Sequence, residues 1–319
     1  MVWQACARVR SGGRSKTNRA GNREALVTTL SAWQASGDYF DTGEGRLFFR
    51  ELGQGAPLLL LHGFPTSSWD WHRVVVPLSA RFRVIVADKL GYGFSDKPAG
   101  ADYGIAAHLD RLQMLLVHLG LRRVNLLCHD NGNTVAQEWL ARQLEAPELL
   151  AVHLERVCFL NGGLFPETHR ARPLQKLLLS PLGGLLARLT REAAFKRSLA
   201  AVFGPATQPS ADDLAAIWVL LRRERGHLLL PRHIRYISER RRHRARWVGA
   251  LQRTDVPITL IDGVLDPVSG AHMVARFREL LPGRPVHELA CGHFPQLEMP
   301  GEVLAALAAA WPSSGTVPN

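Results

Sequence analysis

The chain is predicted to fold as an α/β protein, with a mostly parallel central sheet flanked by helices and a helical cap inserted late. Three observations predict it. Apolar runs of strand length alternate with segments of helical period, the rhythm of strands and crossover helices in a parallel sheet. Runs such as "PLLLLHG" and "VNLLCHD" carry almost no polar alternation, which fits strands buried on both faces. The rhythm stops once, between Gly163 and Pro257, where roughly ninety residues read as helices and loops, too long for an ordinary connection.

In chain order, strands are expected at "GRLFFREL", "PLLLLHG", "RVIVAD", "VNLLCHD", "RVCFLNGG", "ITLIDG" and "PVHELA". Helices are expected at about 104–119, 132–144, 270–281 and 301–311. The α/β core then comprises residues 31–163 and 256–312, the cap 164–255, with a basic tail at 1–30 and a short tail at 313–319. The first 23 residues hold six basic side chains and no acid, and lack the apolar centre of a secretory signal. They read as a tail outside the fold, with an organelle-targeting segment as the alternative.

A chain of 319 residues that is 46% apolar and carries both charge signs suits one large ordered domain with an insertion. No apolar run reaches the roughly 18 residues of a membrane span. The longest, "LLLSPLGGLLA", is interrupted by Pro181 and a glycine pair and suits a lid or a lipid-touching surface. Cys6, Cys128, Cys158 and Cys291 are dispersed without metal-ligand or redox spacing. No metal or cofactor is expected, and a reducing cytoplasmic location is.

The net charge of +11 is uneven, because residues 164–255 carry 18 Lys and Arg against 7 Asp and Glu. The run "RYISERRRHRARW" lacks a nucleic-acid recognition motif and reads as a solvated helix face. Nucleic acid is not an expected partner. A small-molecule substrate is, and contact of the basic cap with a membrane surface stays open.

In a parallel sheet, functional groups gather beyond the carboxyl ends of the strands. Four such ends carry candidates: His62–Pro65, Asp130, Asp266 and His293. Asp130 stands in "CHDNG" with small residues two before and two after, the spacing of a nucleophile elbow whose sharp strand-to-helix turn exposes the central side chain. A helix cap is the plainer alternative at this one position. The order Asp130, Asp266, His293 is that of a nucleophile, acid and histidine, with Asp266 orienting the ring. Asp262 competes for the acid's role but sits at the strand end before Gly263. In this arrangement the amides of Phe64 and Asn131 would form an oxyanion hole.

"HGFPTSSWDW", "DKLGYGFSDKP", "HDNGN", "GVLDPV" and "CGHFPQLEMP" together resemble the α/β-hydrolase fold family, in its branch with an aspartate nucleophile. The likeness spans residues 33–311. Within the branch, "NGGLFPETHR", "VFGP" and "RWVGAL" are similar to segments of the mesoderm-specific transcript proteins. Among better understood members, the resemblance implies that Asp130 attacks carbon to form an alkyl ester, which water activated by His293 hydrolyses.

Departures from those members rank the chemistries. Haloalkane dehalogenases carry Asn after "HG" and Trp after the nucleophile, and this chain has Phe64 and Asn131. "HGFP" is the epoxide hydrolase form, yet the usual pair of cap tyrosines is reduced to Tyr236, the candidate proton donor. Epoxide hydrolysis is therefore the leading expectation, dehalogenation the second, and a ligand-binding or partner-binding module of weak or no turnover the third.

Overall fold

A computed structural model describes residues 29–312. The basic tail lies outside them, except for its last two residues, as does the segment 313–319. The strands are β1 (Asp38–Asp41), β2 (Arg46–Leu52), β3 (Ala56–Leu61), β4 (Phe82–Ala87), β5 (Arg123–Cys128), β6 (His153–Phe159), β7 (Ile258–Gly263) and β8 (Val286–Leu289). They form one sheet in the order β1-β2-β4-β3-β5-β6-β7-β8. The pairs β1–β2 and β2–β4 are antiparallel and the remainder parallel. β1 is not among the strands expected from sequence. Its four residues begin and end in Asp and have no apolar run, so only pairing with β2 defines it.

Period-two geometry explains the unbroken leucines of β3. Leu59 and Leu61 join one core cluster with Ile85, Ala87 and Leu126, while Leu58 and Leu60 join a second with Val84, Val86 and Leu127. Both faces are covered, so polar alternation would leave unpaired groups inside. The register sets Leu61 beside Ala87 on one side and Cys128 on the other. The loops at His62, Asp88 and Asp130 therefore leave the sheet at one level.

The helix Asn131–Glu145 follows β5 and is buried continuously from Asn131 to Ala141. Trp139, fully buried there, donates from Nε1 to the Val152 carbonyl 3.0 Å away. Burying a ring of that size contributes about 2–3 kcal/mol and seats the helix against the sheet.

Between β6 and β7 the chain is helical, including Pro173–Leu178, Gly183–Arg188, Glu192–Ala200, Ala211–Arg222, Tyr236–Arg242 and Arg244–Arg253. The basic run here is not simply a solvated face. Arg240 is 2% exposed and turned inward. Arg246 pairs with Glu138 and Glu145, and Arg244 with Glu167. Trp247 also donates to Glu138, at 2.7 Å. These charges fasten the helices to the core. Among the described residues no helix is long and apolar enough to cross a membrane, and no group of three or more metal-ligating side chains is present.

Candidate active site

Asp130 occupies the corner between β5 and the helix Asn131–Glu145 with φ 46° and ψ −105°. Left-handed backbone is strained for a residue with a side chain and persists where packing over-determines it. The packing is visible at the neighbouring glycines. A Cβ on Gly132 would lie 2.5 Å from the Leu61 carbonyl oxygen, and one on Gly162 2.8 Å from the Asp130 Cα. Only glycine lets both chains approach the corner so closely. The Asp130 amide donates to the Asn161 carbonyl at 2.8 Å. Its side chain makes no capping bond to the helix that follows, so the carboxylate points elsewhere.

That carboxylate is 3% exposed and surrounded by donors. The Phe64 amide donates to Oδ2 at 3.1 Å. The Tyr236 hydroxyl lies 3.3 Å from Oδ1 and 3.4 Å from Oδ2. Arg240 Nη2 stands 3.6 Å from Oδ1 and donates to the Asp130 carbonyl at 2.8 Å, while its Nε donates to Thr134 Oγ1 at 2.6 Å. Burial alone would raise the carboxyl's pKa. The charges of His293 and Arg240, with the Phe64 amide, outweigh it and hold the pKa below the ordinary value.

His293 Nδ1 donates to Asp266 Oδ2 at 2.7 Å. Asp266 also accepts from the Val268 amide and the Ser269 hydroxyl, both at 2.7 Å, and from Asn161 Nδ2 at 3.2 Å. Burial opposes charge on both partners, but their mutual attraction wins. Asp266 falls to about 2 and His293 rises to about 9, with Asp130 adding to the latter. Asp262 is a different group. Both its oxygens are buried without a partner among the described residues, and burial beside Asp266 pushes its pKa well up. The group within hydrogen-bond distance of the His293 ring is Asp266.

The residues named from sequence thus fall into three places. Asp130, Phe64 and His293 line one cavity. Asp266 stands behind His293, and Tyr236 reaches Asp130 from its own helix. Asn131 brings a backbone amide beside Asp130 as the first residue of its helix, where such N–H groups lack intrahelical partners. Its side chain turns away from Asp130's carboxylate to a buried cation. Asn131 Oδ1 accepts from Lys89 Nζ at 2.7 Å, a lysine that also donates to the His62 carbonyl at 2.6 Å.

Lys89, Arg240 and Asn161 are the groups that sequence reasoning missed. Lys89 is 1% exposed, and burial brings its ammonium down to about 7 despite Asp130, Asp70 and Asp88 nearby. Its signal was an ion inside "DKLGYGF", where the surroundings are apolar. Asn161 accepts from the Gly263 amide at 2.6 Å and donates to its carbonyl at 3.0 Å, so one side chain ties the ends of β6 and β7. Its signal was an amide at a strand end, in "FLNGG". Arg240 had none, because five other arginines share the same run. Elsewhere carboxylates pin the loops: Asp88 accepts from the Ser68 and Phe94 amides, and Glu298 from those of Gly204, Gly292 and Phe294.

The cavity measures about 80 Å³, and Leu174, Leu178, Phe195, Leu199 and Val202 supply its apolar wall. Ligand sites more often span roughly 300–1,000 Å³. Small apolar groups fit directly, and larger ones require the wall to yield.

Residues 56–300 match the family model of the alpha/beta hydrolase fold. The mouse (Mus musculus) mesoderm-specific transcript protein is 42% identical over 292 residues, covering 86% of this chain and 85% of that protein. A cis-3-alkyl-4-alkyloxetan-2-one decarboxylase of Shewanella oneidensis is 29% identical over 270 residues, covering 78% of this chain and 80% of its own. The solved haloalkane dehalogenase DatA of Agrobacterium tumefaciens C58 superposes with a TM-score of 0.72 at 21% identity, covering 86% and 94% of the two chains.

Proposed function

Because this chain belongs to the α/β-hydrolase fold family, we propose that it is a hydrolase whose Asp130 attacks an electrophilic carbon, with a small apolar epoxide as the substrate class. One observation carries the reading: the Tyr236 hydroxyl stands within 3.4 Å of both Asp130 oxygens. Burial raises the phenol's pKa well above its usual value, so it stays protonated beside a carboxylate that stays ionised. A nucleophile that lines the cavity, with an acid at hydrogen-bond distance from it, suits the opening of a strained oxygen ring.

In this reading Asp130 Oδ1 forms a bond to a ring carbon, the carbon–oxygen bond breaks, and Tyr236 gives its proton to the departing oxygen. Ester formation consumes the Asp130 charge that helps to hold His293 at about 9; the imidazole, freed of that charge, then removes a proton from water, and the hydroxide adds to the ester carbonyl. Negative charge develops on Oδ2, which the Phe64 amide already holds, with Asn131 as the second donor. Fixed amides stabilise such charge without reorganising, and one is worth about 3–4 kcal/mol of barrier. Collapse releases a diol; the protons held on His293 and shed by the new carboxyl return to the diol oxygen and to Tyr236. The Shewanella relative, by its name, acts on an oxetan-2-one, another strained oxygen ring.

Dehalogenation is the second reading, supported by the likeness to haloalkane dehalogenase 2 of Mycobacterium tuberculosis, 37% identical over 98 residues. The Asn131 carboxamide is engaged by Lys89, which weakens the case for it as a halide holder. The test is a single turnover in heavy-oxygen water with an epoxide panel and a haloalkane panel. Label is expected in the Asp130 peptide with an epoxide. Product without label sinks the covalent route, and saturable binding without product on either panel marks a binding module.

A further inference from the structure

Twelve large apolar side chains are substantially exposed among the described residues, and five of them, Leu174, Leu177, Leu182, Leu185 and Leu189, fall in one stretch at 36–65% exposure. Such clustering matters because isolated surface leucines are ordinary, whereas contiguous ones mark contact sites. Leu182, Leu185 and Leu189 are three and four residues apart along the helix Gly183–Arg188 and its two caps, so they share a face. Gly183 and Ala187 face inward.

Cations surround this face. From Arg170 to Arg197 the chain has seven Lys and Arg and one acid, Glu192. Glu192 is paired with Lys196 at 2.6 Å. Arg172, Lys176, Arg188 and Arg191 enter none of the ion pairs of the described residues, unlike Arg244 and Arg246 of the same region. An apolar face with unpaired cations beside it is what an interfacial helix presents to anionic lipid. A second copy of the chain would bring like charge against like charge, which disfavours self-association.

The face is continuous with the cavity. The helix Pro173–Leu178 lines it through Leu174, Gln175 and Leu178, and the same helix carries exposed Leu174 and Leu177. One short helix is therefore both wall and surface.

We propose that the leucine face of residues 174–189, with Lys176, Arg188 and Arg191 beside it, seats on an anionic lipid bilayer, and that apolar substrates enter from the lipid past the helix Pro173–Leu178. The seating stands independently of the proposed reaction; the entry route rests on it. Flotation of the full chain with phosphatidylcholine vesicles, with and without phosphatidylglycerol, decides the first. Binding is expected on the mixed vesicles, weaker on phosphatidylcholine alone, and reduced about tenfold or more by the triple variant L182S/L185S/L189S. R188E/R191E is expected to remove the salt-sensitive part. Both variants should keep the thermal midpoint and the labelling of Asp130 by a water-soluble epoxide.

Equal binding by the triple variant overturns the proposal, as does equal binding to both vesicle types. A leucine-dependent dimer in sedimentation without lipid assigns the face to a second copy and also overturns it. Failure of labelling in every protein, with vesicle binding intact, would count against the reaction and leave the seating in place.

Discussion

The Tyr236 hydroxyl bridges the two oxygens of Asp130 at 3.3 and 3.4 Å, from a helix that lies 106 residues further along the chain. Tyr236→Phe keeps the packed ring and removes the donor. Ring opening of an epoxide is expected to slow by about 10²–10⁴-fold, while displacement of a halide, which needs no proton, should change far less. Pre-steady-state alkylation rates on the two substrate classes measure the difference, and equal losses on both would reject the donor role.

The two acids at the end of β7 and in the loop beyond it, Asp262 and Asp266, separate cleanly. Asp266→Asn should reduce turnover by up to about 10⁴-fold, since the histidine loses both the correct tautomer and its counter-charge. Asp262→Asn replaces a carboxyl that holds neither the histidine nor any other hydrogen-bond partner among the described residues with an isosteric amide, and turnover should stay within a few-fold of the parent. Parallel kcat measurements test the pair; the reverse ranking would exchange their roles.

Charge on Asp130 helps to hold His293 at about 9. Asp130→Asn removes that charge, so the imidazole should titrate at lower pH, read by NMR of its ring protons. An unmoved titration would mean the two groups are electrically separate.

Stability should depend on pH through the same histidine. Its folded pKa of about 9 lies above the ordinary 6.5, so its contribution is complete below about 6.5 and is lost as pH rises through about 9. Asp266, lowered to about 2 from 3.8, contributes above about 3.8 and loses that as pH falls through about 2. The difference in urea midpoint between the parent and His293→Gln should therefore shrink from pH 6 toward alkaline conditions. A constant difference over that range would contradict the coupling.

Arg240→Ala leaves the Asp130 carbonyl and Thr134 without their donor and strips a buried counter-charge. A loss of roughly 3–5 kcal/mol is typical of breaking a buried pair. Chemical denaturation measures it, and a change under about 1 kcal/mol would place Arg240 at the surface in solution.

Asp130, Asp266 and His293 were legible because each sits in a short linear pattern at the end of an apolar run, in an order that chemistry restricts. The buried leucines of β3 were legible for a similar reason. Lys89 and Arg240 were not, since their roles come from partners 42 and 110 residues away. A lone basic residue looks the same in sequence whether it faces water or a carboxylate. β1 was missed because hydrogen bonding to β2, not composition, makes it a strand.

The Asp266 carboxylate, which holds the His293 ring, is oriented by groups from the core: Val268, Ser269 and Asn161. Tyr236 and Arg240, by contrast, come from the helices between β6 and β7. On the proposed reaction, swapping that helical segment for one from a homologue should thus retune which bond is attacked while keeping the His293–Asp266 pair, a division of the molecule into a selector and an engine.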